Sequence, residues 1–320
     1  MTFLRKISIA TVSLGVAFGA YAAGGAKHAH PPQEGWSFEG AFGEFDKDAL
    51  QRGYQVYREV CSSCHSMKLM KYRNLGEEGG PFYDSEYSGN ENPLVKAFAA
   101  EDEILKGVDD IGEPVYGGAT PADTFKAPYA NDAAARAANA GALPPDLSVI
   151  TKARHGGASY VYSLMVGYPE AIFDGELVFP DEVLSDREAH DDDHHGDEHH
   201  GDDHEYAGLH GVLQQPVGLY YNPYFAGDTT AQWDGDPRHI PPGGFLAMAP
   251  QLVAGRVSYI DGTEATVEQM ASDVATFLAW AGEPKQAKRK SAGFKVIGFL
   301  FVFAILLWIS YHQIWRDVEH

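Results

Sequence analysis

Apolar residues near the start of the chain recur at steps of four and three, the spacing of one face of an α-helix. The residues at this spacing are Leu50, Tyr54, Tyr57, Cys61 and Cys64. Either Asp46 or Asp48 is a suitable N-cap for such a helix. The pattern therefore predicts a helix whose apolar face leads directly into the two cysteines.

A second helix is predicted near residue 270. Thr266 and Gln269 form a capping-box pattern, and Gly282 and Pro284 end the helix. The apolar positions in between are Val267, Met270, Val274, Phe277, Leu278 and Ala281. The chain between the two helices has no convincing run of alternating strand positions and is typical of short helices and loops. We expect a mainly α fold with long loops, in which the two helices pack together.

Both ends of the chain carry apolar runs of a different kind. A basic pair at Arg5 and Lys6 precedes an uncharged apolar run and the small-residue sequence "AYA", which is the pattern of a secretory signal at residues 1–22. Residues 296–315 contain no Asp, Glu, Lys or Arg, and a helix of that length crosses a bilayer. A buried core helix is the weaker alternative, because apolar runs in soluble cores are usually shorter.

Basic residues flank the C-terminal span unequally. Those before it are Lys285, Lys288, Arg289, Lys290 and Lys295, whereas only Arg316 follows it. The positive-inside rule alone would leave the main domain in the cytoplasm. The signal sequence is expected to prevail, because a large domain already committed to export is translocated regardless of flanking charge.

These signals predict a protein of the bacterial inner membrane with its main domain on the periplasmic side. The expected segments are a signal peptide at 1–22, an exported domain at 23–284, a basic linker at 285–295, a transmembrane anchor at 296–315 and a cytoplasmic tail at 316–320.

The formal net charge of −21 argues against nucleic-acid binding and favours basic partners. Residues 181–205 include "HDDDHHGDEHHGDDH" and hold twelve acidic residues, six histidines and one arginine. Charge of this density cannot be buried, so we expect a flexible surface insertion. Loose binding of zinc, nickel or copper by the histidines is the alternative.

The sequence "CSSCH" at residues 61–65 contains both cysteines of the chain. It is the pattern of covalent c-type haem attachment, in which Cys61 and Cys64 bond the ring and His65 ligates the iron. A thioredoxin-like pair would give no reason for the histidine, and a zinc site would need a second cysteine pair. An exported domain with one covalent haem c is therefore expected.

The second axial ligand of the iron must come from a distant part of the chain. Met248 lies in the irregular segment "GGFLAMAP", which is typical of a loop that presents a side chain to a site. Four other methionines are either too close to His65 or in apolar helical patterns typical of a core: Met67, Met70, Met165 and Met270. The competing candidates are His155, His210 and His239.

Five segments together resemble the cytochrome c1 family, the haem subunits of cytochrome bc1 complexes. They are "GYQVYREVCSSCHSMKLMKYRNL", "AARAANAGALPPDLSVITKARHGGASYVYSLMVGY", "YYNPYF", "LAMAP" and "DGTEATVEQMASDVATFLAWAGEP". The resemblance spans most of residues 46–315 and implies a c-type cytochrome haem domain with one C-terminal transmembrane helix.

The resemblance also implies roles for particular residues. Cys61 and Cys64 would bond the haem, His65 and Met248 would be its axial ligands, and Arg154 and Tyr160 would lie near a propionate. An ordinary surface cation and a core aromatic are the alternative interpretation of the last two residues.

Family membership further implies a one-electron relay without bond chemistry on a substrate. The subunit would accept electrons from a Rieske iron–sulfur protein and pass them to a soluble or anchored cytochrome c, while cytochrome b oxidises quinol in a dimeric respiratory or photosynthetic complex. Seven acidic residues are candidates for docking a basic acceptor: Glu77, Glu78, Glu101, Asp102, Glu103, Asp109 and Asp110. The rival hypotheses are a free-standing membrane-anchored electron shuttle and, more remotely, a haem or metal sensor.

Overall fold

The computed structural model describes residues 25–169, 172–173, 176–177, 212–235, 237 and 240–316. The proposed signal peptide, the insertion at 181–205, His210, His239 and residues 317–320 lie outside this range. The helices are α1 (Lys47–Glu59), α2 (Pro93–Ala100), α3 (Asp132–Ala138), α4 (Ile150–Ala153), α5 (Gly157–Val166), α6 (Val267–Gly282) and α7 (Gln286–Trp315). The mainly helical prediction is confirmed.

Helix α1 begins as predicted but ends earlier. The Asp46 carboxylate accepts a hydrogen bond from the Ala49 amide at 2.9 Å, which identifies the N-cap. The helix ends at Glu59, and Cys61–Ser63 form a 3₁₀ turn instead of continuing it. The Ser62 and Ser63 hydroxyls donate to the last carbonyl groups of the helix, so local side-chain bonds compete with the helical pattern there. The prediction of a helix that continues into the cysteines is therefore wrong.

Helix α6 packs directly across α1, as the two apolar stripes predict. The Thr266 hydroxyl caps α6 by accepting from the Gln269 amide at 3.1 Å. A Cβ atom at Gly53 would lie 2.1 Å from the carbonyl oxygen of Asp273, so only glycine allows the two backbones this close. Beside this contact Arg52 donates two hydrogen bonds to the buried Asp273 carboxylate, at 2.9 and 3.1 Å. The crossing thus combines a close backbone approach with a charged pair.

Among the described residues, eight short strands form three small antiparallel sheets that the sequence did not indicate. The strands are β1 (Glu103–Val108), β2 (Pro114–Gly118), β3 (Ile172–Phe173), β4 (Glu176–Leu177), β5 (Val212–Gln214), β6 (Tyr220–Asn222), β7 (Trp233–Asp234) and β8 (Gly244–Leu246). The sheets are β1–β2, β3–β4–β5–β7 and β6–β8. Hairpin β1–β2 is largely exposed on both faces, so its sequence has no alternation between buried and exposed positions to detect.

Residues 25–46, the N-terminal strap, cover helix α5. The Ser163 hydroxyl accepts from the His30 amide at 2.8 Å and donates to the His30 carbonyl at 3.1 Å. The Trp36 indole donates to the Ser159 hydroxyl at 2.9 Å. The strap therefore attaches to α5 through both backbone and side-chain bonds.

Helix α7 is long and apolar enough to cross a membrane. It has 30 residues, and no side chain in it is buried against the rest of the described chain. It begins at Gln286, so the basic residues from Lys288 to Lys295 lie in its first turns. Lys290 attaches these turns to the strap by donating to the carbonyl groups of Phe38 and Gly43 at 2.7 and 2.9 Å.

Candidate haem site

The thiols of Cys61 and Cys64 are both free and half-buried. The amides of Cys64 and His65 both donate to the Cys61 carbonyl, at 3.2 and 2.9 Å, so one tight turn holds the three residues together. Burial, with a smaller contribution from Cys64, raises the pKa of Cys61 to about 12, which keeps its thiol protonated and neutral. Two reduced thiols one turn apart fit the two bonds that c-type haem attachment requires.

The ring of His65 is oriented by a residue 80 positions away. Its Nδ1 donates to the Pro145 carbonyl oxygen at 2.8 Å, and that bond fixes the proton on Nδ1. Burial lowers the pKa of His65 below its usual value although the Pro145 carbonyl and Asp146 oppose this effect, so the imidazole is neutral. A neutral ring with Nδ1 engaged leaves Nε2 as the basic nitrogen, which is the arrangement that an iron ligand needs.

Asp146 joins the segment of Pro145 to the residues that follow His65. One of its carboxylate oxygens accepts from the Ser66 hydroxyl and the Lys68 amide, both at 2.8 Å, and the other accepts from the Ser148 amide at 2.9 Å. Burial alone would raise the pKa of Asp146, but these hydrogen bonds outweigh it and lower the pKa. The ionised carboxylate therefore holds the His65 segment against the Pro145 segment.

Replacing Asp146 by asparagine is expected to destabilise the haem-loaded domain by about 1–3 kcal/mol at pH 7, because one amide oxygen cannot replace both carboxylate oxygens. The folded pKa of Asp146 lies below its unfolded value of about 4, so its contribution is present above that pH. It is lost as the pH falls through the folded pKa. The free energy of unfolding of the detergent-solubilised protein is measured by denaturation at pH 7 and near pH 3. Its difference between wild type and variant should be smaller at the lower pH.

The control for this prediction is Asp84→Asn. Asp84 is exposed and accepts a single local bond from the Glu86 amide, so this change should alter stability by no more than about 0.5 kcal/mol at either pH. If the free energies of unfolding of Asp146→Asn and wild type differ by the same amount at both pH values, the role of the carboxylate charge is contradicted.

The candidate axial methionine lies in a non-helical segment that follows β8. Met248 is half-buried. Upstream, Gly243 has a φ of +100°, and a Cβ atom there would lie 2.3 Å from the Asn222 carbonyl oxygen, so glycine is required for the chain to reach β8. The Tyr168 hydroxyl donates to the Met248 carbonyl at 2.8 Å. The predicted irregular segment around Met248 is thus present, and the Tyr168 bond ties it to another part of the fold.

The other methionines and the competing histidines lie elsewhere. Met270 is buried and Met165 is partly buried against the same core, as predicted for methionines that serve in packing. Met67 and Met70, which were excluded as too close to His65, are buried as well. His155 is exposed at the turn between α4 and α5, and His210 and His239 lie outside the described residues.

Arg154 and Tyr160 are brought together at the start of α5. Tyr160 is half-buried and Arg154 is exposed. Burial raises the pKa of Tyr160, while the Arg154 guanidinium beside its hydroxyl opposes that rise. The pair offers a cation and a hydroxyl at one place, which suits a carboxylate such as a haem propionate. Their role toward a propionate stays a prediction.

The seven acidic docking candidates differ in their surroundings. Asp102 is buried and accepts hydrogen bonds from Arg58 and the Tyr72 hydroxyl, so it does not suit the docking role predicted for it. Four others form ion pairs or hairpin bonds: Glu77 with Arg73, Glu78 with Lys288, Glu101 with Arg58, and Asp109 with the amides of Ile111 and Glu113. Glu103 and Asp110 are exposed on the same hairpin as Asp109.

The sequence did not identify the residues that support the site from a distance. Pro145, Asp146 and Tyr168 lie within a segment that was noted as a whole, but no role was expected for them. The "PPD" sequence at residues 144–146 is a turn signal, and a carboxylate next to it is a common hydrogen-bond acceptor for nearby amides. Within the described part of the chain, no group of three or more His, Cys, Asp or Glu is arranged to hold a separate metal ion.

Comparison with known proteins connects this geometry to a family. The family model described as the cytochrome C1 family matches residues 36–318. A Rhodospirillum rubrum protein named cytochrome c1 is 37% identical over 320 residues, which covers 100% of both chains. An Arabidopsis thaliana protein named "Cytochrome c1 1, heme protein, mitochondrial" is 38% identical over 88% of this chain and 71% of its own length. A Bradyrhizobium diazoefficiens protein named cytochrome b/c1 is 39% identical over 90% of this chain, which spans only 36% of that longer protein.

Proposed function

This chain belongs to the cytochrome c1 family, and from that membership we propose that it is the haem-bearing electron-transfer subunit of a quinol–cytochrome c oxidoreductase. It receives single electrons from a Rieske iron–sulfur protein and delivers them to a soluble or anchored cytochrome c. Cytochrome b carries out quinol oxidation in the same complex, which is dimeric. No bond of a substrate is made or broken on this chain.

The residues of this chain bind and orient one covalent haem c. When bound, that group supplies an iron that changes its oxidation state by one electron. Cys61 and Cys64 would hold it covalently, and His65 and Met248 would be the ligands of its iron. Arg154 and Tyr160 neutralise and hydrogen-bond a propionate. A thioether ligand raises the reduction potential relative to a second histidine, which suits a carrier late in a quinol-driven chain.

The hydrogen bond from His65 Nδ1 to the Pro145 carbonyl is the observation that carries the proposal. It fixes the tautomer whose free Nε2 ligates iron, next to two unbridged thiols. A thiol pair used for disulfide exchange would not need an oriented neutral histidine beside it.

The proposed topology has an exported domain at residues 23–284, a basic segment at 285–295, an anchor at 296–315 and a cytoplasmic tail at 316–320. The anchor proposal rests on the apolar helix α7, and export rests on the sequence pattern at residues 1–22. The haem domain then faces the periplasm of a bacterium from the inner membrane, where a cytochrome c reaches it. The acidic hairpin residues Glu103 and Asp110 provide charge that attracts a basic acceptor.

Rapid-mixing spectroscopy on the gently solubilised complex tests this function. Quinol is mixed with the oxidised complex, and reduction of the haem of this chain is followed with a functional Rieske cluster and with a Rieske protein that lacks its cluster. Prompt reduction that requires the cluster is expected. Reduction that is absent, or that does not depend on the cluster, would contradict the relay and favour a free-standing membrane-anchored shuttle.

Two further measurements separate the sensor hypotheses from the relay. Carbon monoxide should not bind the reduced haem, because both axial positions are filled, whereas a gas sensor keeps one position open. Deletion of residues 190–204 should leave electron transfer unchanged, whereas loss of function on deletion would support a metal-sensing role of the histidine-rich insertion.

A further inference from the structure

The hydroxyl of Tyr168 is bonded to the backbone of the proposed axial methionine. Tyr168 follows the last turn of α5, and its hydroxyl donates to the Met248 carbonyl oxygen at 2.8 Å across 80 residues of sequence. Tyr168 is half-buried. The bond connects the helix that carries Tyr160 to the segment that carries Met248.

The donor side of this bond is held rigidly. The Asn222 side chain donates to the Leu164 carbonyl at 2.8 Å, which attaches the last turn of α5 to strand β6. Strand β6 pairs with β8 in the register Tyr220 to Leu246 and Asn222 to Gly244. The end of α5 and the strand that leads into Met248 therefore form one hydrogen-bonded unit.

The acceptor side has no regular secondary structure of its own. Strand β8 ends at Leu246, and Ala247 and Pro250 are exposed on either side of Met248. A segment of this kind can move away from the core at low cost unless a specific bond holds it. The Tyr168 bond acts at the residue whose side chain must stay in place.

We propose that Tyr168 is a positioning residue that keeps the Met248 thioether on the haem iron. The inference rests on the proposed axial role of Met248. Tyr168 does not touch the reacting atoms; it restricts the Met248 backbone so that the ligand-off state is sparsely populated. Removing the hydroxyl should increase that population without changing the covalent attachment of haem through Cys61 and Cys64.

Tyr168→Phe in the full haem-loaded chain tests the proposal. Two signals are measured in the ferric protein and normalised to covalently bound haem: the red charge-transfer band of methionine-ligated iron, and the apparent affinity for imidazole as a competing ligand. Loss of one net hydrogen bond should raise the imidazole affinity by about three- to ten-fold, since exogenous ligand binds only the fraction with the methionine released. The band should weaken at lower temperatures than in wild type.

The matched control is Tyr162→Phe, which removes a hydroxyl from α5, the helix that Tyr168 follows. Tyr162 is buried and its ring contacts His30 and Trp36 edge-on, so this variant tests for a general effect of weakening α5. It should keep the wild-type imidazole affinity. Tyr168→Gln retains a side-chain donor and should show a stronger band than Tyr168→Phe if the hydrogen bond is responsible.

The outcomes separate the axial role of Met248 from the positioning role of Tyr168. A wild-type protein without the methionine band would overturn the axial role of Met248 and this inference with it. A wild-type band that is equally strong and equally resistant to imidazole in Tyr168→Phe would overturn the role of Tyr168 alone. A weaker band or a lower resistance to imidazole in Tyr168→Phe would also overturn it if Tyr162→Phe shows the same change.

Discussion

Met248→Leu is expected to retain covalent haem but to lose electron transfer through the complex. Leucine has a similar volume without a ligating sulfur, so the segment after β8 should still pack while one axial position opens. Loss of the thioether should lower the reduction potential by about 0.1 V or more, because axial ligands set haem potentials over a range of about 0.8 V. Since about 59 mV is a factor of ten for a one-electron couple, accepting an electron becomes about fifty-fold less favourable.

Three measurements examine this variant in the assembled complex. A denatured-haem spectrum should show covalent haem at wild-type levels, a redox titration should show the lower potential, and carbon monoxide should bind the reduced protein. Met165→Leu is the control, because Met165 is half-buried on α5 and packs against the core. Potential and turnover unchanged in Met248→Leu would show that another residue is the ligand.

Gly53→Ala is expected to cause a large loss of stability, because the added methyl group clashes with the backbone of the neighbouring helix. The added Cβ would lie 2.1 Å from the Asp273 carbonyl oxygen and 2.7 Å from the Phe277 Cβ, and neither neighbour is the flexible end of a side chain. Helices α1 and α6 must therefore separate, which weakens the Arg52–Asp273 pair and the aromatic packing around Phe277. Overpacking typically costs 1–3 kcal/mol, roughly, and the backbone clash places this site at or above the upper end.

The destabilisation caused by this clash exceeds the helix-propensity advantage of alanine over glycine, which is about 1 kcal/mol. We expect a net destabilisation of about 2 kcal/mol or more, and a fall in the melting temperature of about 5 °C or more for a domain of this size. Gly293→Ala in α7 is the control, because nothing lies within 4 Å of the position its Cβ would take. Equal melting temperatures for Gly53→Ala and Gly293→Ala would contradict the close approach of α1 and α6.

The features that the sequence alone determined are those that depend on residues close together in the chain. Four features each lie within one helix length: a cap at Asp46 or Asp48, the apolar stripes of α1 and α6, the "CSSCH" sequence and the apolar run of α7. Side-chain period and capping depend on neighbours three or four residues apart, so they can be predicted without a fold. The place where α1 ends was missed because two serine hydroxyls take over its last carbonyl groups, a local competition that periodicity does not record.

Only the tertiary structure decided which long-range hydrogen bonds and ion pairs join these elements around the site. The bond from His65 to Pro145 and the bond from Tyr168 to Met248 each join residues 80 positions apart, and the Arg52–Asp273 pair joins residues 221 apart. Burial of Asp102 likewise depends on Arg58 and Tyr72. No local pattern encodes such partners, because which donor meets which acceptor depends on the packing of the whole core. The sequence therefore identified the groups proposed to bind haem, and the fold determined the hydrogen bonds that orient them.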